Sequence, residues 1–338
     1  MKRKYAFIGL AAAAAAVCAV AYYLFFSAFN TQGGSSYLYI DADDSFDSVC
    51  AKLDTAAGTR QLAGLRLLAV ATGYGDHVRT GRYDAGGGVS TLGLLRRLRN
   101  GSQAPVRLTI PNVRTMDRLA ARLGAVLMAD SAAWAHCFGD SATLAAFGTD
   151  TALLPCLFIP NTYEVYWDVT PRGLLGRMQR ESEAYWTPER LALADSAGLT
   201  PDEVIVMASI VDQETANDAE KPMIAGMYLN RLHQGMKLQA DPTVKFALKR
   251  FDLRRIYHDQ LLTDSPYNTY RYEGLPPGPI CIPALSSIEA VLHFARHDYV
   301  YMCAKEDFSG THRFARTYAE HMQNAQRYAE ALNRRGVR

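Results

Sequence analysis

The residues with the clearest chemical potential are Asp212, Gln213, Glu214 and Thr215, which close an apolar run at positions 204–211 (VIVMASIV). A helix that is apolar on every face is buried, so this one would carry carboxylates at the end of a core element. Desolvation there raises a carboxyl above its ordinary value of about 4.3 for Glu, which a general acid working near neutrality requires. The plainer reading is that the acidic residues mark where a buried helix reaches water. Downstream, Asn230, Gln239, Asp241, Asn268 and Thr269 stand among turn-forming prolines and glycines. Such directed hydrogen-bonding groups suit sugar hydroxyls and N-acetyl groups. Each alone also fits turn chemistry: Asp241 before Pro242 can cap a helix, and Asn268 can hold a loop.

The elements that must position these groups are legible around them. Thr200-Pro201-Asp202-Glu203 is a helix start with an N-cap, a proline at the first helical position and a capping box. A second helix spans 220–234 and is closed by Gly235, and residues 171–185 and 188–197 are helical upstream. In the N-terminal half, residues 37–40 alternate as a strand and Ser45 caps a helix through Leu53. Residues 61–71 form an apolar helix, residues 78–84 (VRTGRYD) read as a strand, Ser90 opens a helix to about Asn100, and Pro111 closes a strand at 106–110. Short strands alternating with short helices give a small α/β module of about 75 residues. From Thr115 a helical stretch continues toward Phe147, with Gly148 as its stop.

The chain of 338 residues is long enough for two domains or one large lobed domain. Apolar residues at 49% and charged residues at 21% exclude a disordered, collagen-like or coiled-coil chain. Thirty-six Lys+Arg against 34 Asp+Glu leave a formal charge of +2, so no bulk basic charge calls for nucleic acid. The local anomaly is residues 5–29, which hold no charged residue and include six consecutive alanines. About 20 helical residues span a bilayer core. Lys2, Arg3 and Lys4 precede the run, so the positive-inside rule leaves the N-terminus in the cytoplasm and the rest outside. A cleaved signal peptide is the competing reading. Its apolar region would be shorter, no small-x-small site follows the run, and Val17 before Cys18 is wrong for a lipoprotein box.

Other chemistries find little support. The six cysteines are scattered without a CxxC pair, fit small buried hydrophobes, and assign no disulfide. His293 and His297 lie at i, i+4 with Asp298 adjacent, but no Glu follows either histidine and no metal is called for. Glycines 86–88 lack the following Lys-Ser/Thr of a phosphate loop. No cofactor is expected.

Four ordered blocks, ASIVDQET (208–215), NRLHQGMKLQADPTV (230–244), YNTY (267–270) and GLPPGPI (274–280), resemble the signatures of the YceG/MltG family of membrane-anchored endolytic murein transglycosylases. The resemblance continues through IPNTY (159–163), Tyr301, His312, Phe314 and His321, and covers about 180 residues well. Upstream it is looser, resting on GRYD (81–84) and the Asn100-Gly101 turn, which are similar to a LysM-like module.

The resemblance implies an α+β fold class: an N-terminal transmembrane helix, a small LysM-like α/β module and a mixed α+β catalytic domain. The implied division is a cytoplasmic N-terminus at 1–4, an anchor at 5–29, a linker at 30–36, the module at 37–112, a helical connection at 113–155 and the catalytic domain at 156–338. It places the catalytic glutamate of the E-x-E-T block on Glu214, and substrate contacts on Asn230, Gln239, Asp241, Tyr267, Asn268 and Thr269. The implied partners are peptidoglycan glycan strands, the cell (inner) membrane and a peptidoglycan synthase, with the catalytic domain on the periplasmic side. Three positions depart from the family pattern. Asp212 replaces the usual first Glu of the block, IPNV (110–113) replaces an acidic Pro-Glu-Gly turn, and Phe294 stands where proline is common. The first keeps the charge on a shorter arm, while the second bears on the module's ligand contacts and not on the chemistry.

The implied reaction breaks the β-1,4 bond between N-acetylmuramic acid and N-acetylglucosamine and leaves 1,6-anhydro ends. A hydrolytic muramidase is the alternative chemistry, with Asp241 as the second acid. Asp212 is a poor partner, since side chains two apart on a helix do not face each other. A non-catalytic cell-wall-binding scaffold for a synthase is the alternative of another class.

Overall fold

The computed structural model describes residues 2–29, 37–54, 59–253 and 255–335. The 30–36 linker therefore lies outside the described residues. The chain forms two compact units, one of residues 1–108 with 126–129 and 163–169, the other of residues 109–125, 130–162 and 170–338.

The first unit holds α1 (Lys2–Phe25), β1 (Tyr37–Ile40), α2 (Phe46–Asp54), α3 (Thr59–Thr72), β2 (Gly81–Asp84) and α4 (Thr91–Asn100). β1 and β2 pair antiparallel, Tyr37 opposite Asp84 and Ile40 opposite Gly81. Alternation sends Leu38 and Ile40 inward, where they join Val49, Leu53, Leu65, Tyr83 and Leu94 in one core. Ser90 caps α4 by accepting from the Gly93 amide, as its place in the sequence indicates. The strand expected over 78–84 shortens to Gly81–Asp84. Gly81, the first residue of β2, has φ +136, a conformation that glycine adopts without a Cβ penalty.

α1 is long and apolar enough to cross a membrane, a property shared by anchors and signal sequences. Its end is built into this unit. Phe29 is fully buried in the core and its amide donates to the Val89 carbonyl at 2.6 Å. Gly64 of α3 approaches the α1 backbone so closely that a Cβ there would lie 2.4 Å from the Leu24 carbonyl oxygen.

β3 (Val106–Ile110) and β4 (Asn161–Val165) form a second two-stranded sheet. The helical stretch that Thr115–Gly124 begins and that continues toward Phe147 consists of three helices, α5 (Met116–Gly124), α6 (Ser131–Gly139) and α7 (Ser141–Ala145). Asp130 and Asp140 interrupt it, each accepting a backbone amide as the N-cap of the next helix.

The rest of the second unit is α8 (Pro171–Tyr185), α9 (Pro188–Ser196), α10 (Pro201–Glu214), α11 (Lys221–His233), α12 (Asp241–Ala247), α13 (His258–Leu261) and α14 (Leu285–Leu292). The hairpin β5 (Tyr301–Ala304) and β6 (His312–Ala315) and the closing helix α15 (Tyr318–Arg334) follow. α10 is its axis. Thr200 and Glu203 form the expected capping box, with the Thr200 amide donating to Glu203 at 2.8 Å. Every residue from Val204 to Val211 is buried. Ser209 joins this core without an unmet group: its hydroxyl donates to the Val206 carbonyl and accepts from the Ile280 amide. The fold class is therefore mixed α+β, with one N-terminal apolar helix.

Candidate active site

Glu214 is the last residue of α10, and Thr215 turns the chain into an extended conformation directly after it. The negative end of the helix dipole disfavours a charged carboxylate at that position. Burial pushes the Glu214 carboxyl above its ordinary range, and the nearby charge of Asp241 adds to the rise. A hydrogen bond from Tyr228 of α11, whose hydroxyl donates to Glu214 Oε1 at 2.5 Å, opposes it, as do the charges of His312 and Lys245. The Tyr228 hydroxyl is itself held well above the usual phenol range by burial and by the adjacent Glu214 charge, so it remains a donor. The result is a carboxyl able to hold a proton, with one fixed donor aimed at its oxygen.

Around it, Asp241 is exposed at the start of α12, and its Oδ1 accepts from the Tyr270 hydroxyl at 2.6 Å. Asp241 does not cap the helix, because Ala240 occupies the cap position. Gln239 is also exposed, with φ +53, and its amide donates to the Thr269 carbonyl. Its side-chain oxygen accepts from Arg231 at 3.4 Å. His312 on β6 is fixed by Glu220, which accepts from its backbone amide at 2.6 Å and its ring at 2.9 Å.

Three of the residues expected to contact substrate do other work. Asn268 is fully buried, donating to the Leu261 and Thr263 carbonyls and accepting from the Tyr270 amide. Thr269 is buried too, accepting from the Ala240 amide and sharing a hydrogen bond with Thr243. Both polar ends of Asn268 and the hydroxyl of Thr269 are thus committed to the loop that carries Tyr270 and Gln239. Asn230 donates to the carbonyls of His297 and Tyr299, holding the approach to β5. Tyr267 packs its ring 4.8 Å from Phe246 beside a cavity. Of the expected residues, Asp241 acts on Glu214 through its charge, and Gln239 stays exposed beside the loop that carries Tyr270. Tyr228, Tyr270, Lys245 and His312 complete the surroundings of Glu214 and were not singled out as site residues. The sequence signal for Tyr228 was weak, a tyrosine on a helix with no visible reason to face α10.

Asp212 has a separate role. Its Oδ1 accepts from Ser287 at 2.5 Å, the Ala284 amide at 3.3 Å and Lys221 at 3.4 Å, so it caps α14 from another helix. Its Oδ2 accepts from Asn112. Asn112, within the IPNV departure from the family pattern, thus touches the end of α10, two residues from Glu214.

A protonatable carboxyl at the end of a core helix, beside a tyrosine donor and with an exposed second carboxylate acting on it, is an arrangement able to perform acid–base chemistry. The profile of the YceG-like family matches residues 38–327, and the chain belongs to that family. An endolytic murein transglycosylase of Bacillus subtilis (strain 168) is 40% identical over 131 residues, covering 39% of this chain and 36% of that protein. One of Streptococcus pneumoniae serotype 2 is 27% identical over 294 residues, covering 76% of this chain and 51% of that protein. The chain thus spans about half the length of the pneumococcal relative and about a third of the other. A crystal structure of a YceG-like protein from Listeria monocytogenes superposes with a TM-score of 0.57 at 25% identity, covering 86% of this chain and 98% of that one.

Proposed function

We propose that the protein is a membrane-anchored endolytic peptidoglycan lytic transglycosylase, a lyase that cuts nascent glycan strands and ends their growth beside a synthase. The observation that carries the reading is the half-buried Glu214 carboxyl, kept protonatable by its position and bonded to Tyr228. Family membership and the names of the curated relatives support the substrate class.

In the proposed reaction Glu214 donates its proton to the glycosidic oxygen as the bond from that oxygen to C1 of the muramoyl sugar breaks. The N-acetylglucosamine leaves with a free 4-hydroxyl. The muramoyl C6 hydroxyl attacks C1, closing a 1,6-anhydro ring, and Glu214, now a carboxylate, takes the proton released. No water is consumed, and one carboxyl serves as acid and then as base. Tyr228 stabilises the carboxylate in the interval between the two steps. The βααβ arrangement from β1 to β2 in the first unit is read as a LysM-like glycan-binding module. α1 is read as an uncleaved anchor with the remainder outside the cytoplasm. Burial of Phe29 supports this, because cleavage after the apolar run would remove a core side chain.

The test is mass spectrometry of products from polymerised, uncrosslinked glycan. Anhydro-muramic ends are expected, and Glu214→Gln should lower the rate by at least about a thousandfold, within the range of general acid–base contributions. Reducing-end muramic acid would instead show a hydrolase, with Asp241 as the candidate second acid. Full activity in the Glu214→Gln protein would remove Glu214 from the chemistry.

A further inference from the structure

The second unit contains a cavity that the proposed reaction leaves unused. It measures about 180 Å3 and is walled by Phe246, Phe251 and Tyr267, with Arg114 and Lys249 also lining it. A smaller cavity of about 60 Å3 shares Arg114, Phe246 and Phe251 with it and is lined further by Lys245 and by Gln213, the chain neighbour of Glu214. The two share a wall, and the smaller is bounded by Lys245, whose charge acts on Glu214.

The cations of this region are not held in ion pairs. Among the described residues, Arg114, Lys245 and Lys249 form no ion pair. Arg114 donates its Nε to Gln213 at 3.0 Å and stacks with its guanidinium 5.5 Å from the centre of the Phe251 ring. Its terminal amino groups remain for a ligand. Asp117 is the acid in the lining of the larger cavity. Lys249 holds a left-handed backbone, φ +53, which a lysine rarely adopts. Aromatic walls with unpaired cations select an anion that carries apolar groups. The volume falls below the range of about 300–1,000 Å3 usual for whole ligands, so the cavity accepts a branch or an end and not a saccharide chain.

We infer that this cavity binds the short acidic peptide that branches from the muramic acid on which Glu214 acts. Arg114 and Lys249 receive its carboxylates, and Phe246, Phe251 and Tyr267 receive its apolar side chains. The inference rests on the reading that Glu214 cuts peptidoglycan, and it makes stem-bearing strands the favoured substrate over bare ones.

The experiment uses the full chain in detergent, with uncrosslinked strands that carry their stem peptides and the same strands stripped by an amidase. Wild-type kcat/KM is expected to favour the stem-bearing strands by about tenfold or more, the equivalent of one charge-assisted contact. Arg114→Gln and Lys249→Asn should each reduce that ratio to about threefold or less, through KM. Asn suits the left-handed backbone at 249, so this variant keeps the fold if Arg114→Gln does not. Equal rates on both strands in the wild type, or a preference that survives both substitutions, overturns the inference. A second measurement is independent of cleavage: calorimetric binding of a free stem pentapeptide to the Glu214→Gln protein, weakened at least about fivefold by adding Lys249→Asn. If neither strand is cut, the functional reading fails and the binding measurement decides the cavity: no peptide binding overturns it, and binding that depends on Lys249 upholds it.

Discussion

At the scale of the residue, Glu214 ties function to pH in a direction that two neighbours can move. The first proposed step needs the protonated carboxyl, so activity should fall as pH rises through the elevated Glu214 value. Asp241 adds to that elevation and Tyr228 opposes it. Asp241→Asn should therefore carry the descending limb of the pH profile to lower pH, and Tyr228→Phe should carry it to higher pH. Measuring kcat/KM across pH for both variants checks the account, and two shifts of the same sign would refute it. Stability follows from the same group. A carboxyl whose folded pKa lies above its unfolded value contributes fully below the unfolded value, and that contribution is lost as pH rises through the folded one. Glu214→Gln removes the loss. The variant should unfold at higher denaturant than the wild type above neutrality, and the difference should vanish near pH 3, as parallel urea titrations would show.

At the scale of the element, the decisive object is the junction of α10, α11 and α14. Asp212 and Lys221 are both nearly excluded from solvent, with side-chain exposure of 5% each. Breaking a buried pair by removing one partner costs about 3–5 kcal/mol, because the other charge is left uncompensated. Lys221→Met should fall near the lower end, since Asp212 keeps Ser287, the Ala284 amide and Asn112. Adding Asp212→Asn should cost less than the sum of the two single changes; additivity in the double-mutant cycle would show that the pair is uncoupled. This junction also marks the limit of what the sequence discloses. The α10 helix, its capping box and its terminal carboxylates could all be read locally, because caps and hydrophobic runs act within a few residues. The loop role of Asn268 was visible as turn chemistry, although recognition of a ligand competed with it. Partners far apart in the chain were not visible. Asn112 meets Asp212 across 100 positions, and Glu220 meets His312 across 92. The two family departures at 112 and 212 looked independent until folding placed one side chain against the other. Tyr228 was hidden for the same reason, since nothing local to α11 says which of its faces meets the end of α10.

At the scale of the whole molecule, the proposed anchoring turns on the first helix. Its large apolar side chains are exposed over most of its length, Phe7 at 73% and Val17 at 68%, a surface that water disfavours and a bilayer accepts. Its far end is committed differently. Phe29 is fully enclosed in the first unit, and the Leu24 backbone lies against Gly64. The apolar helix and the folded module therefore meet without a free hinge at that contact, so on the anchor reading proposed above the segment would serve the membrane and the fold together. Two truncations separate these roles. Removing residues 2–22 should move the protein from the membrane fraction, where it should resist high-salt and alkaline washes, to the soluble fraction with the first unit still folded. Extending the deletion through Phe29 should further destabilise that unit by about 3–5 kcal/mol, the usual cost of deleting a buried phenylalanine, measured by urea unfolding of the two truncated proteins. Sequencing the N-terminus of the cell-derived protein gives the opposing outcome: a start beyond residue 29 would mean that the apolar run is removed and that Phe29 holds no place in the working core.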